Sequence, residues 1–306
     1  MKISVVGGAG RVGSTTLFQL VRESWVEELA VVDIMGERAE GEMLDLLHGT
    51  SLARRVVFSG PGYDATAGSD MIVITAGIPR KPGETRLDLL RKNVDLMKGV
   101  LEELNRHSRD YYLVMVANPV DVLTYQAIRG SGVPANKVIG TGTLLDSVRF
   151  RSLLAQRLDV SPDQVYVYML GEHGDSMAAW TSGGSVAGIP LARFPGVSDA
   201  LLAEVIQATR FSGAEVIKRK GGTFYAVAPM IVELLRAIAF DQKRILPVST
   251  LLEGQLGMSN VALSLPCIVG RGGRERVLEP PLDAAEAAAL QGSYQVLREA
   301  VESVGL

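Results

Sequence analysis

Gly171-Glu-His173-Gly-Asp175 places a histidine between glycines directly after the apolar run Val165 to Leu170. Imidazole is the one side chain whose ordinary titration lies between pH 5 and 8, so a histidine in such a turn suits general acid and base work, although a lone histidine is as readily structural. In Leu144-Leu-Asp146-Ser-Val-Arg149-Phe-Arg151, Asp146 and Arg149 stand three apart and share a helical face. Alone that is an ordinary helix salt bridge. In Thr75-Ala-Gly-Ile-Pro-Arg80-Lys-Pro-Gly-Glu-Thr-Arg86 two guanidinium groups sit on a loop rich in proline and glycine, after the apolar run Met71 to Ile74. Such a basic loop is a solvated surface in most proteins, but at the C-terminal end of a parallel strand it borders the ligand crevice.

Near the N-terminus, Val5-Val-Gly-Gly8-Ala-Gly10-Arg11-Val12-Gly13-Ser-Thr-Thr16 admits two readings. A mononucleotide phosphate loop needs lysine after its last glycine, where this chain has Ser14. The dinucleotide reading suits the surroundings better. The strand-like Ile3 to Val6 precedes the glycines and a helical pattern from Thr16 to Val21 follows. Gly8 is expected to permit the tight turn, Gly10 to let a diphosphate approach the backbone, and Gly13 to let helix and strand pack closely. The helix N-terminus then offers unpaired N–H groups to the diphosphate. Asp33, about twenty residues beyond Gly13, ends the run Leu29-Ala-Val-Val-Asp33, where an acid hydrogen-bonds a ribose 2′-hydroxyl and repels a 2′-phosphate. NAD is therefore favoured over NADP, with Arg38 nearby leaving dual use open.

These residues need a scaffold. Short β-branched runs, Ile3 to Val6, Leu29 to Asp33, Met71 to Thr75, Leu113 to Ala117 and Val138 to Gly140, alternate with helical patterns. Runs apolar on both faces predict a parallel sheet covered by helices on each side, a doubly wound α/β fold. After the turn Gly140-Thr-Gly142, strand-like pieces (Val165 to Leu170, Leu263 to Val269) mix with helical segments near 199–219, 225–240 and 283–303, which predicts a second, α+β unit. Asp283 reads as the N-cap of the last helix.

The chain has 306 residues, 47% of them hydrophobic, and a formal net charge of −3. It can bury a large core in two domains, and it lacks the basic excess that nucleic-acid binding requires. One cysteine, Cys267, and three histidines allow no cysteine cluster for a structural metal, so no metal is expected, and a reducing compartment is. No signal-like or membrane-length apolar run is present, which predicts a cytoplasmic protein without a membrane partner. His48 and His107 read as structural or surface residues, and Cys267, among apolar neighbours, as core.

Taken together, the glycine turn with Asp33, the Arg80/Arg86 loop, Val116-Ala-Asn118-Pro119, Leu145-Asp-Ser-Val-Arg149-Phe-Arg and Gly171-Glu-His-Gly-Asp175 resemble, in that order, the lactate/malate dehydrogenase family. The resemblance covers nearly the whole chain. It implies a Rossmann NAD-binding domain over residues 1–142 and a mixed α+β substrate domain over 143–306. His173 would be the acid/base, Asp146 would orient its ring, and Arg149 would grip the C1 carboxylate of a 2-hydroxy acid. Arg86 would polarise the carbonyl oxygen when its loop closes. Asn118 would contact nicotinamide ribose and substrate, and Met177 the substrate. Around the cofactor it places Gly8, Gly10, Arg11, Val12, Gly13, Asp33, Thr75, Ala76, Gly77, Asn93, Val116 and Asn118.

Within the family, malate enzymes resemble one another in having arginine at the position that is Arg80 here, six before Arg86, where lactate enzymes have glutamine. Met177 also resembles malate enzymes. Gly-Glu-His-Gly-Asp-Ser, Leu-Asp-Ser-Val-Arg-Phe-Arg and Lys220-Gly-Gly-Thr223 look more like lactate enzymes, and Ala178-Ala179-Trp180 departs from the usual Val-Pro wording. The expected substrate is thus a small dicarboxylate, malate, in a lactate-dehydrogenase-like branch of malate dehydrogenases, with lactate or dual use as the alternative. A homo-tetramer or homodimer is the implied assembly. A non-catalytic NAD(H) sensor is a remote third reading, since it needs no His173, Asp146, Arg149 and Arg86 together.

Overall fold

The computed structural model describes residues 1–50, 55–79, 83 and 85–306. Six parallel strands form its N-terminal half: β1 (Lys2–Val6), β2 (Glu28–Val32), β3 (Val57–Ser59), β4 (Met71–Ile74), β5 (Tyr112–Met115) and β6 (Val138–Gly140). They alternate with helices α1 (Arg11–Leu20), α2 (Gly36–Thr50), α3 (Arg86–His107) and α4 (Val120–Gly130). Spatially the order is β6-β5-β4-β1-β2-β3. The order reverses between β1 and β4, and there the crevice for a ligand opens.

Alternation along the strands explains why these runs are continuously apolar. Ile3, Val5, Leu29, Val31, Met71 and Val73 face one core with Leu17 and Leu20 of α1, whereas Val6, Val32, Ile72, Ile74, Leu113 and Met115 face a second core with Met97 and Leu101 of α3. Each face of the sheet is buried under helix, so neither tolerates a polar stripe.

Beyond β6 follow α5 (Leu144–Leu158), β7 (Val165–Leu170), β8 (Ala178–Val186), β9 (Ile189–Pro190), α6 (Asp199–Lys220), α7 (Val227–Ala239), β10 (Arg244–Glu253), β11 (Ser259–Gly270), β12 (Gly273–Val277) and α8 (Ala284–Ser303). A small antiparallel sheet runs β7-β8-β9, while β10, β11 and β12 extend the first sheet to nine strands. The expected break near residue 142 is therefore bridged. Ser249 of β10 pairs with Gly140 of β6, and α7 buries Ile231, Leu234, Leu235 and Ile238 in the core shared with α1. Among the described residues, no helix is long and apolar enough to cross a membrane.

The turn after β6 is tightly specified. Gly142 has φ +46°, and a Cβ there would lie 2.1 Å from Ser264 Oγ and 2.7 Å from the backbone nitrogen of Ser249. We predict that Gly142→Ala lowers unfolding free energy by about 1–3 kcal/mol through overpacking, measured by urea denaturation. An unchanged midpoint would mean that β10 and β11 do not press on this turn.

Candidate active site

Glycine packing shapes the dinucleotide crevice, with one difference from the sequence reading. The left-handed residue is Gly7 (φ +85°), not Gly8, and Gly7 and Gly8 both donate their N–H to Val32 O, at 2.8 and 3.1 Å. Gly8 is required for another reason: a Cβ there would meet Val31 Cγ1 of β2 at 2.7 Å. A Cβ on Gly13 would stand 2.2 Å from Gly7 O, so helix and turn touch through bare backbone. No side chain caps α1 at Gly10, and its first turn, Arg11 to Gly13, carries no acid. That terminus therefore carries no negative side chain of its own, the electrostatic condition for accepting an anion. Arg11 itself turns to Gly221 O at 3.1 Å, tying α1 to the end of α6.

Asp33 follows β2 and accepts N–H bonds from Ala9 and Met35, each at 3.0 Å. Its carboxylate thus braces the glycine turn from the side where a ribose would lie. Across the crevice Thr75 Oγ1 donates to Val6 O and Gly7 O, and Ala76 N to Val6 O. Val116 N bonds Ile74 O, and Asn118 Oδ1 accepts from Val120 N.

Two further residues of the expected site are buried in contacts within the chain. Asn93 is 1% exposed, and its amide bonds Ile78 N, Ile78 O and Leu89 O, which braces the chain after Gly77. Met177 is 4% exposed and packs in the apolar cluster with Phe150, Leu154 and Met169, where burial of its side chain contributes to the core.

Catalytic candidates converge because α5 and β7 are stitched together. Thr143 Oγ1 donates to Met169 O at 2.5 Å, Met169 N donates to Ser147 Oγ at 2.9 Å, and Thr143 N donates to Ser264 Oγ at 3.0 Å. Gly171 (φ +85°) turns the chain out of β7 and pairs with Ser264 through both backbone groups. The result places Asp146, in the first turn of α5, under the turn that carries His173. His173 Nδ1 lies 2.5 Å from Asp146 Oδ2, and Arg149 Nη1 donates to Asp146 Oδ1 at 3.0 Å. Gly213 of α6 lies beside the Arg149 head, where even an added Cβ would stand at an ordinary contact distance of 3.5 Å from Nη1.

Asp146 is 1% exposed, whereas a quarter of the His173 side chain is open. Burial alone would raise the Asp146 carboxyl, but the charges and hydrogen bonds of His173 and Arg149 hold it below the usual carboxylate range. Burial likewise would lower the His173 imidazole, and the Asp146 carboxylate outweighs it, with Asp121 adding and Arg149 opposing, so the ring is raised above its ordinary value. Both directions favour an imidazolium against a carboxylate. With Nδ1 held, Nε2 is the nitrogen left to exchange a proton.

Arg86, the first residue of α3, is exposed and forms an ion pair with Asp175, two residues past His173. Asp175, through its hydrogen bond and charge, raises the guanidinium further. Arg86 thus reaches the rim of the catalytic turn without touching His173. Arg80 and Pro82 of the same loop lie outside the described residues. In the wall beside His173, Trp180 stacks on Tyr168 at 6.0 Å and donates to Pro281 O, so the unusual Ala178-Ala179-Trp180 stretch is held by β7 and the segment before α8.

Sequence reasoning missed three supports. Asp121 accepts the His173 N–H at 2.7 Å, Ser293 Oγ accepts the Glu172 N–H at 2.6 Å, and Glu286 accepts the Thr181 and Ser182 N–H groups at 2.7 and 2.8 Å. Asp121 carried a usable signal, an acid inside the otherwise apolar start of a helix. His48 ends α2, His107 lies 3.8 Å from Glu103, and the Cys267 thiol, buried and pushed up to about 12, is core.

Replacing Asp33 by asparagine removes the charged acceptor for a ribose hydroxyl. A charged hydrogen bond contributes about 1.5–3 kcal/mol, so NADH affinity should fall roughly tenfold to a hundredfold, with less discrimination against NADPH, read by fluorescence titration. Unchanged affinity would place the ribose away from Asp33.

Comparison with known proteins agrees with this geometry. Residues 1–140 match the family model for the lactate/malate dehydrogenase NAD binding domain, and residues 143–305 match that for the lactate/malate dehydrogenase alpha/beta C-terminal domain. An L-lactate dehydrogenase of Acetivibrio thermocellus is 40% identical over 310 residues, covering 100% of this chain and 98% of the relative. Among solved structures, the minor L-lactate dehydrogenase of Enterococcus mundtii superposes with a TM-score of 0.96 at 32% identity, over 100% of this chain and 98% of that one. The malate dehydrogenase of Archaeoglobus fulgidus in complex with NADH gives 0.90 at 36% identity, over all of both chains. The glycine crevice, the histidine turn and these matches together establish that the chain belongs to the lactate/malate dehydrogenase family, with NAD as its cofactor.

Proposed function

We propose that this chain interconverts a small 2-hydroxy acid and its 2-oxo acid, with His173 as the acid/base, and that its preferred pair is malate and oxaloacetate. The observation that carries the reaction is the buried contact of Asp146 with both His173 and Arg149. When bound, NAD supplies the hydride acceptor in one direction and the donor in the other. Arg149 offers a planar fork for the substrate's C1 carboxylate. His173 Nε2 takes the hydroxyl proton during oxidation and returns it to the carbonyl oxygen during reduction, with Asp146 fixing the ring and stabilising the imidazolium. Arg86, released from Asp175, is in reach of the site mouth, where its charge would polarise the carbonyl.

The malate preference rests on Arg80. A second carboxylate on the substrate needs a cationic partner in a closed site, and losing one partner of a buried charge pair costs about 2–5 kcal/mol, or roughly thirty- to several-thousandfold. A second reading, L-lactate dehydrogenase, is favoured by the names of the curated relatives, which at 39–40% identity are L-lactate dehydrogenases. By name, the relatives speak for lactate more than for malate; the residue at position 80 speaks for malate. A sensor would leave NADH absorbance flat on mixing with either oxo acid.

Steady-state rates on oxaloacetate and pyruvate decide among these. The malate reading expects oxaloacetate to be preferred and Arg80→Gln to cut kcat/KM for it at least about thirtyfold. Oxaloacetate activity that survives Arg80→Gln would mean that Arg80 is not the selector, and a wild-type preference for pyruvate would transfer the assignment to lactate. The sign of the pH dependence follows from the raised imidazole: oxo-acid reduction uses protonated His173, so it persists above the ordinary histidine range and falls as pH rises through the raised value. Asp146→Asn should move that fall to lower pH and reduce turnover. An unmoved profile would mean that Asp146 does not hold the proton on His173.

A further inference from the structure

A second carboxylate, which the reaction as described does not use, holds the catalytic turn from below. Asp121 stands in the first turn of α4, where Val120 through Ala127 are all buried, and is itself 2% exposed. Its Oδ2 accepts the backbone N–H of His173 at 2.7 Å. The other oxygen, Oδ1, and the buried Ser249 Oγ on β10 each lack a hydrogen-bond partner of good geometry, yet Ser249 is near enough to act on the carboxyl. Native interiors rarely leave two such oxygens unpaired, and a turn of the Ser249 hydroxyl would pair them, with serine donating to the carboxylate or accepting from the protonated carboxyl. Burial pushes the Asp121 carboxyl up to about 6; Ser249, the His173 N–H and the His173 charge oppose the rise, and Glu172 adds to it.

The charges around Asp121 form a short series. His173 and Glu172 face it from the catalytic turn, β10 presents the uncharged Ser249, and α5 brings Asp146 and Arg149 to the far side of the imidazole. Asp146 has Arg149 as a permanent cationic partner, whereas among the described residues the cation acting on Asp121 is His173. With the imidazole neutral, two buried carboxylates would flank it, and the one without its own cation is the one that takes up a proton.

We propose that Asp121 is a positioning residue for the catalytic histidine: Oδ2 fixes the His173 peptide, its negative charge joins that of Asp146 in favouring the imidazolium, and Ser249 accepts its O–H when the carboxyl is protonated. The proton on Asp121 and the proton on His173 thereby oppose each other across one turn of chain. This extends the functional reading above and rests on it only for the catalytic role of His173.

Asp121→Asn keeps an oxygen to accept the His173 N–H and removes the charge. The chain has three histidines, so the His173 imidazole C–H resonance can be assigned by comparison with His173→Asn and titrated by NMR. In folded Asp121→Asn the His173 midpoint should move down by about one pH unit, and the pH at which oxo-acid reduction falls should move with it, while NADH affinity is unchanged. Asp121→Ala, which also loses the peptide bond to His173, should lower kcat at its optimum by roughly tenfold to a hundredfold. Asp121→Ser, smaller and still an acceptor, gives the same downward shift should the amide fail to fold. A His173 midpoint that stays in place in a folded, uncharged variant overturns the proposal, and so does wild-type kcat in Asp121→Ala. If the wild-type protein reduces neither oxo acid, the functional reading fails, but the NMR midpoint still decides the role of Asp121.

Discussion

A carboxylate enclosed between an imidazole and a guanidinium, Asp146 between His173 and Arg149, is the constraint around which the rest of the molecule is arranged. Taking such a charge out of water costs several kcal/mol, and only close cationic partners in good geometry offset that. Neither partner is dispensable: without His173 or Arg149 the buried charge is undercompensated, and without Asp146 the imidazole loses both its orientation and its preference for the proton. The same contact that makes the site chemically useful is therefore costly to assemble badly.

That cost explains the dense hydrogen bonding where α5 meets β7. Thr143, Ser147 and Ser264 each bond backbone across the junction, and Gly142 and Gly171 adopt left-handed conformations there. The extension of the parallel sheet by β10 and β11 supplies Ser249 and Ser264, and α8 supplies Ser293 and Glu286, so the catalytic turn and its neighbouring wall are braced from several elements distant in sequence. The dinucleotide crevice, by contrast, is built locally from β1, β2 and β4 and their following turns. Cofactor and acid/base thus come from separate parts of the chain, the first from the parallel sheet and the second from α5 and the small sheet β7-β8-β9, joined through Ser264 of β11.

This division also governs what could be read from the residues alone. The parallel strands are legible because burial on both faces demands unbroken apolar runs, and the glycine turn because bare backbone contact demands glycine. Asp33 and the His173, Asp146 and Arg149 constellation stand out by residue type in an unusual setting. The positive φ belongs to Gly7, adjacent to the Gly8 expected to permit the tight turn, and packing against Ala76 and Val31 distinguishes the two. β10 was hidden by Pro247, which reads as a strand breaker yet pairs opposite Pro266, and β8 by Gly183 and Gly184. The internal contacts of Asn93 with Ile78 and Leu89, and of Met177 with Phe150 and Leu154, follow from tertiary packing that no local pattern encodes. Asp121 is marked locally as an acid in an apolar helix start, but its partner, a backbone N–H some fifty residues away, is encoded by no local pattern.

A proton held between His173 Nδ1 and Asp146 can be observed directly. ¹⁵N-histidine-labelled wild-type protein at pH 6 should show a far-downfield proton resonance bonded to His173 Nδ1, as a charge-assisted hydrogen bond to a buried carboxylate produces, disappearing when Asp146 is replaced. Absence of that resonance in the folded protein, with His173 Nδ1 carrying no proton or exchanging it freely with solvent, would contradict the pairing on which the site depends.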